Sequence, residues 1–357
     1  MVERIEQLAG KAIRAQRDVI AEKVVARQYA LKPERWQSYG NVGREKSVRD
    51  VGYHLSYLAE AIARADPRLF VEYVGWAQVL FANLGFGGDV LVTTLKCMDD
   101  ALAQILPAEM IGVVRTTLQA GLQHAHAAPG SIPSFLTSDH TLTALAQRYL
   151  DALLQGERHA ANDMILDTVE QGTPVMDIYL YVFQPVQREV GRLWQTNQIS
   201  VAQEHYITAA TQLIMSQLYP RIFRSEKSGR RLVATCVGGE LHEIGIRMVA
   251  DFFEMEGWDT IYLGANTPTA GVLDMLADRK ADVLAISATM TPHVSAVAEM
   301  IARVRASDAG REVRIMVGGY PFNLSPDLWR RLGADACAQD AQQAVLVANR
   351  LAGGEGQ

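Results

Sequence analysis

Cys236-Val-Gly-Gly-Glu240-Leu-His242-Glu-Ile-Gly245 follows a short apolar run, Arg231–Val237, and precedes an amphipathic one, Ile244–Glu256. The first reads as a buried strand and the second as a helix. In an open α/β sheet, the loop at the carboxyl end of a strand is where ligands bind. Here that loop offers one imidazole, His242, with Glu240 two residues before it and Gly245 three residues after it. An imidazole can give one ring nitrogen to a metal while a carboxylate orients and polarises the other. On residue types alone, the same triplet also fits an ordinary surface loop.

Two later segments bear on that choice. The apolar run Asp282–Ala288 ends at Ser287-Ala-Thr289, and Val313–Val317 ends at Gly318-Gly319. Leu263-Gly-Ala-Asn266, before Pro268, is a further strand end facing the same groove. Strands near 231–237, 259–264, 282–288, 313–317 and 335–339 alternate with helices near 244–256, 269–279, 292–306, 325–332 and 341–351. That alternation predicts a doubly wound, parallel, five-stranded sheet (Rossmann-like) over residues 230–353. His293, after Pro292 at a helix start, reads as structural.

These strand ends resemble the cobalamin-binding domain of methionine synthases, corrinoid mutases and light-dependent regulators. In that family Asp-x-His-x-x-Gly is followed, at this spacing, by Ser-x-Leu or Ser-x-Thr and then Gly-Gly. The resemblance implies that His242 is the lower axial cobalt ligand. It also implies that Ser287, Thr289, Gly318 and Gly319 line a buried nucleotide tail, with Tyr320 beside it. Glu240 departs from the commoner Asp, which alters the geometry of the relay to the imidazole.

Residues 138–224 predict a four-helix bundle with short joins: Thr141–Gln155, Glu157–Glu170, Pro174–Trp194 and Ser200–Phe223, the last capped by Ser200. Ser225–Arg230 reads as a polar linker. Trp194 is followed by nine residues and then Glu204-His205. A Trp there fits a bundle core. The Trp-x9-Glu-His spacing also resembles the CarH-type light-dependent regulators, which implies that Trp194, Glu204 and His205 cover the upper face of an adenosylcobalamin. Those regulators carry a His just after the Trp, where this chain has Gln195.

Residues 1–130 predict an all-α domain. Residues 1–30 read as one amphipathic helix and Leu31–Ser47 as a loop. Ser47 would cap a helix running to Ala65, and Arg68–Phe86, Asp89–Ile105 and Ala108–Ala125 follow. His124-Ala-His126 leads into a Pro- and Gly-containing linker, and two histidines at that spacing do not share a helix face. Arg49, Tyr53, His54 and Tyr57 fall on one stretch, with Trp76 and Phe81 on the next helix. They fit either an aromatic core with one hydrogen-bonded histidine or a pocket for a flat conjugated ligand. Joined to a photoreceptor-type cobalamin unit, this domain resembles that of the photocobilins, which implies a globin-like fold binding biliverdin or another bilin.

Composition sets outer bounds. The formal net charge of −6 argues against nucleic acid as a partner. Three scattered cysteines give no disulfide or zinc framework. Met1–Gln16 shows no apolar leader and no long apolar run spans a membrane, so a cytoplasmic protein is expected. The resulting expectation is a photoreceptor rather than an enzyme, a homodimer or other homo-oligomer signalling to itself or a downstream protein. The alternatives are a corrinoid methyl carrier of a methyltransferase system and a light-independent cobalamin sensor.

Overall fold

The computed structural model describes residues 4–37, 40–127, 130–137, 139–223 and 226–353. The expected boundaries at Ser138 and Arg224, the linker residue Ser225, and Ala128-Pro129 after His126 lie outside the described residues. The chain divides into two compact units, Met1–Ser131 and Ile132–Gln357.

The first unit is helical: α1 (Ile5–Ala15), α2 (Arg17–Leu31), α3 (Pro33–Gln37), α4 (Gly40–Ala63), α5 (Arg68–Asn83), α6 (Asp89–Ile105) and α7 (Ala108–Ala125). The single helix expected over residues 1–30 is broken at Gln16, whose φ of −111° and ψ of 14° leave the helical well. The loop expected over Leu31–Ser47 is instead α3 and the first turns of α4. Ser47 caps nothing; its Oγ donates to the Gly43 carbonyl one turn back, at 2.9 Å. Gly40, at a φ of +61°, turns the chain into α4, so the helix begins inside the stretch expected as a loop.

The aromatic stretch resolves to a packed core. His54 is buried, with Nδ1 2.7 Å from the Tyr73 hydroxyl. Tyr57 stacks on Tyr73 at 3.7 Å between ring centroids, and Phe81 meets the imidazole edge-on. Tyr53 is 55% exposed. Tyr73 and Phe81 thus pack directly on His54, and Tyr57 on Tyr73, which is the aromatic core with one hydrogen-bonded histidine. Burial drives the His54 pKa down to about 4.

The second unit opens with helices α8 (Thr143–Leu154), α9 (Arg158–Glu170), α10 (Val175–Ile178), α11 (Gln184–Gln195), α12 (Val201–Gln217) and α13 (Tyr219–Ile222). The expected single helix Pro174–Trp194 contains Pro185, which removes a donor and crowds the carbonyl a turn earlier. A π-helical turn, Tyr179–Phe183, absorbs it: the Gln184 N–H reaches the Tyr179 carbonyl and the helix continues. Ser200 caps α12 as expected, in a reciprocal box with Gln203.

The sheet that follows is all parallel: β1 (Arg231–Cys236), β2 (Asp259–Gly264), β3 (Val283–Ser287), β4 (Arg314–Gly318) and β5 (Ala336–Ala338), in the order β2-β1-β3-β4-β5. The connecting helices are α14 (Ile244–Met255), α15 (Thr269–Arg279), α16 (Val294–Ala306), α17 (Tyr320–Leu324), α18 (Leu328–Leu332) and α19 (Ala341–Ala352). A 3-10 turn, Thr291–His293, precedes α16. One sheet face, under α14 and α19, shares a single apolar core with the bundle; Tyr179, Phe183, Phe252 and Phe253 meet there. The opposite face forms its own core with α15 and α16. Where bundle meets sheet domain, the Tyr179 hydroxyl donates to the buried Asp251 carboxylate at 2.8 Å.

Candidate functional site

The strands β1 and β3 are neighbours, and the chain continues from β1 to β2 on one side and from β3 to β4 on the other. Such a reversal opens a crevice at the carboxyl ends of the two strands. The loops carrying Glu240, His242 and Thr289 meet there.

Glu240 organises the crevice. Its side chain is fully buried. Oε1 accepts from the His242 backbone N–H at 3.0 Å and from His242 Nδ1 at 2.6 Å. Oε2 accepts from the backbone N–H groups of Thr289 at 2.7 Å and Met290 at 3.0 Å, and from His293 Nδ1 at 3.0 Å. Burial acts to raise its pKa, but the two imidazoles and the backbone amides outweigh it and hold the group well below the usual carboxylate range. The longer arm of Glu therefore spans two loops and binds His242 at hydrogen-bond distance.

His242 has its pKa raised, first by the hydrogen bond to Glu240, against burial, and further by the charges of Glu240 and Glu204. Its side chain is 58% exposed. With Nδ1 donating to an ionised carboxylate, the Nε2 lone pair is left for another partner. The loop is pinned by Asn266, whose Oδ1 accepts from the Gly239 N–H at 2.7 Å and whose N–H donates to the Glu240 carbonyl at 2.9 Å. Cys236 below it is no nucleophile, since burial pushes its thiol up to about 12.

The neighbouring residue, Glu243, ties this loop to the bundle. Its Oε1 accepts from Gln212 Nε2 of α12 at 3.1 Å, and its Oε2 from the Tyr262 hydroxyl and the Ala265 N–H at 2.8 and 3.0 Å. Glu204, Thr208 and Gln212 recur every four residues and so share one face of α12. Glu204 Oε1 accepts from the Thr208 hydroxyl, while Oε2 lies 2.6 Å from His205 Nδ1. Trp194 is half-buried in the last turn of α11, against the bundle core.

The glycine pair allows close approach. Gly319 has a φ of +108°, and a Cβ there would stand 2.1 Å from the Ala288 carbonyl oxygen. Ser287 pairs in register with Cys236 and with Gly318. Gly245 leaves open space at the start of α14, and Tyr320 is half exposed.

The donor set fits one kind of metal. Among the described residues no three metal-binding side chains converge. A bare ion would find too few donors here, since Glu240 is taken up by its own hydrogen bonds, whereas a metal already held in a macrocycle needs one exposed imidazole, such as His242, from the protein.

The fold and the site define a parallel α/β ligand-binding domain packed against a helical bundle. Residues 230–348 match a family described as B12 binding domain, and residues 145–219 match a second family of that description. Monomethylamine corrinoid protein 2 of Methanosarcina mazei is 26% identical over 215 residues, covering 58% of this chain and 97% of the relative. Monomethylamine corrinoid protein 1 of the same organism is 28% identical over 189 residues, covering 51% of this chain and 85% of the relative. The solved Methanosarcina barkeri monomethylamine corrinoid protein aligns with a TM-score of 0.52 and 23% identity, over 58% of this chain and 98% of that one, a likeness of fold.

These findings overturn the light-sensor expectation. The relatives named above are methylamine corrinoid proteins rather than light-dependent regulators. The B12-binding assignment stands, while biliverdin and the light-labile adenosyl group have no support. Both matched families lie outside residues 1–131, and nothing supports a globin-like arrangement there. No described helix is long and apolar enough to cross a membrane.

His293 is the site residue that sequence reasoning missed. The signal available was the unusual Glu at 240, whose longer arm calls for donors beyond one imidazole.

Proposed function

We propose that the second unit holds a corrinoid in the crevice above β1, β3 and β4, and that the chain serves as a methyl carrier in a methyltransferase system. When bound, the corrinoid would supply a cobalt centre able to carry a methyl group. His242 would hold the cobalt through Nε2, with Glu240 fixing its Nδ1. Ser287, Thr289, Gly318, Gly319 and Tyr320 line the tail of the cofactor. Trp194, Glu204 and His205, on the bundle, would contact the corrinoid ring. On this reading the chain is itself no enzyme; catalysis belongs to the methyltransferases on either side. The observation that carries the proposal is the exposed His242 imidazole held by a buried carboxylate at the strand-order reversal.

The test is reconstitution with methylcobalamin and hydroxocobalamin. The protein should bind either stoichiometrically, show an imidazole-ligated absorption spectrum, and lose that signature in His242→Ala. Demethylation in the dark by a cognate methyltransferase, with methyl transfer to an acceptor thiol, is the expected activity. Identical spectra for wild type and His242→Ala would refute the ligand assignment.

A further inference from the structure

Asp251 is a buried carboxylate that the crevice does not use. It lies on α14, 5% exposed, where the sheet domain meets the bundle. The Tyr179 hydroxyl of the π turn donates to its Oδ2 at 2.8 Å, and Tyr219 of α13 faces it as well. On α14 itself, Arg247 stands one turn before it and Glu254 three residues after it. Arg247 spends its donors elsewhere. Its Nη2 donates to the Ser216 hydroxyl of α12 at 2.7 Å and to the Tyr219 hydroxyl at 3.4 Å, and the guanidinium lies 5.5 Å from the centre of the Tyr219 ring. Its buried Nε has no hydrogen-bond partner among the described residues. Glu254 pairs with Lys227, in the join between bundle and sheet.

Ionised Asp251 is therefore held by neutral phenols rather than by a bonded cation, in a place screened from water. Burial raises its pKa to about 6, against 3.8 for an exposed aspartate; the Tyr179 hydrogen bond, the Arg247 charge and Tyr219 offset this only in part, and the Glu254 charge adds to it. Burial also raises the pKa values of Tyr179 and Tyr219, so both phenols keep their protons. Lifting the bundle from α14 would return the carboxylate to water. The docked form thus binds the proton more tightly than the undocked one, and by linkage the proton favours docking. That gain is fully present below pH 3.8 and is lost as pH rises through about 6.

We infer that Asp251 makes the joint between bundle and sheet domain a proton-responsive latch: with its carboxyl protonated the bundle holds to α14, and with it ionised the joint opens more readily. The same bundle meets the crevice loop through Gln212 and Glu243, so the latch lets pH act on access to the crevice from a distance. It operates whether or not the crevice takes a corrinoid.

The test is native-state hydrogen exchange on the full chain without added cofactor, with rates expressed as protection factors so that the intrinsic pH dependence of exchange cancels. Peptides covering Tyr179–Phe183 and Ile244–Met255 should be about tenfold better protected near pH 5 than near pH 7.5, the ratio that a shift from 3.8 to about 6 gives. Asp251→Asn keeps the shape but cannot ionise, and should flatten the dependence to within about twofold. A ¹³C titration of the wild-type carboxyl, which needs no variant, should place the Asp251 midpoint near pH 6. Wild-type protection that ignores pH, an Asp251→Asn protein that keeps the tenfold change, or a carboxyl that titrates like an exposed aspartate would each overturn the inference. Should Asp251→Asn fail to fold, the wild-type profile and the titration decide it.

Discussion

Replacing Glu240 with Gln exchanges one acceptor oxygen for an N–H₂ in a buried place where five donors converge. Oε2 faces three donors and Oε1 two. The amide oxygen should therefore take the three-donor side, which leaves the N–H₂ pointing at His242. Two donors then meet an N–H₂. The imidazole can relieve this by moving its proton to Nε2 and accepting at Nδ1, but the backbone N–H of His242 cannot. A hydrogen bond to a charged acceptor is worth about 1.5–3 kcal/mol, and a buried unsatisfied donor costs about 1–3 kcal/mol. Glu240→Gln should thus destabilise the second unit by about 2–4 kcal/mol in urea titration. It should also shift the His242 proton to Nε2, where it blocks metal coordination, so the loaded protein becomes base-off. A variant within about 0.5 kcal/mol of wild type, with Nδ1 still protonated, would refute this account of the carboxylate.

Three further outcomes follow from local geometry. His54 is neutral when folded, with its pKa near 4 against 6.5 when exposed; its contribution is fully present above pH 6.5 and lost as pH falls through 4. The difference is worth about 3 kcal/mol, and denaturant titrations from pH 7.5 to 4 should show a slope that His54→Phe flattens. Ser200→Ala removes the acceptor for the Gln203 N–H and should cost about 1 kcal/mol in melting experiments. Gly319→Ala places a Cβ 2.1 Å from the Ala288 carbonyl oxygen at a positive φ; it should cost at least about 2 kcal/mol and abolish cobalamin retention on gel filtration.

Much of the sheet domain was legible because parallel strands buried on both faces write continuous apolar runs. Leu232–Cys236 and Val283–Ser287 do so, and strand-end loops carry the chemistry. Elements failed where a local signal had a tertiary answer. Gly40 and Gly43 fall in the stretch expected as a loop, yet they sit in the opening turns of α4. Pro185 gave no hint of the π turn that accommodates it. His54 carried no mark to separate a core histidine from a ligand until Tyr73, on another helix, was seen to partner it. His293 is distant from Glu240 in sequence, and only the folded crossover brings them together. The functional misreading had a different origin. Trp194, Glu204 and His205 form a short pattern on an amphipathic bundle, where such residues also serve packing, whereas the matched families span most of the second unit.

The apolar core shared between the bundle and the α14/α19 face of the sheet fixes how small a working fragment can be. Cutting at the join near residue 230 would uncover Phe252, which meets Tyr179, and strip Asp251 of the phenol that Tyr179 offers it. An isolated sheet domain should therefore be sticky and poorly soluble. Reagents for structural or spectroscopic work on the crevice beside Glu240 and His242 should start upstream of α8.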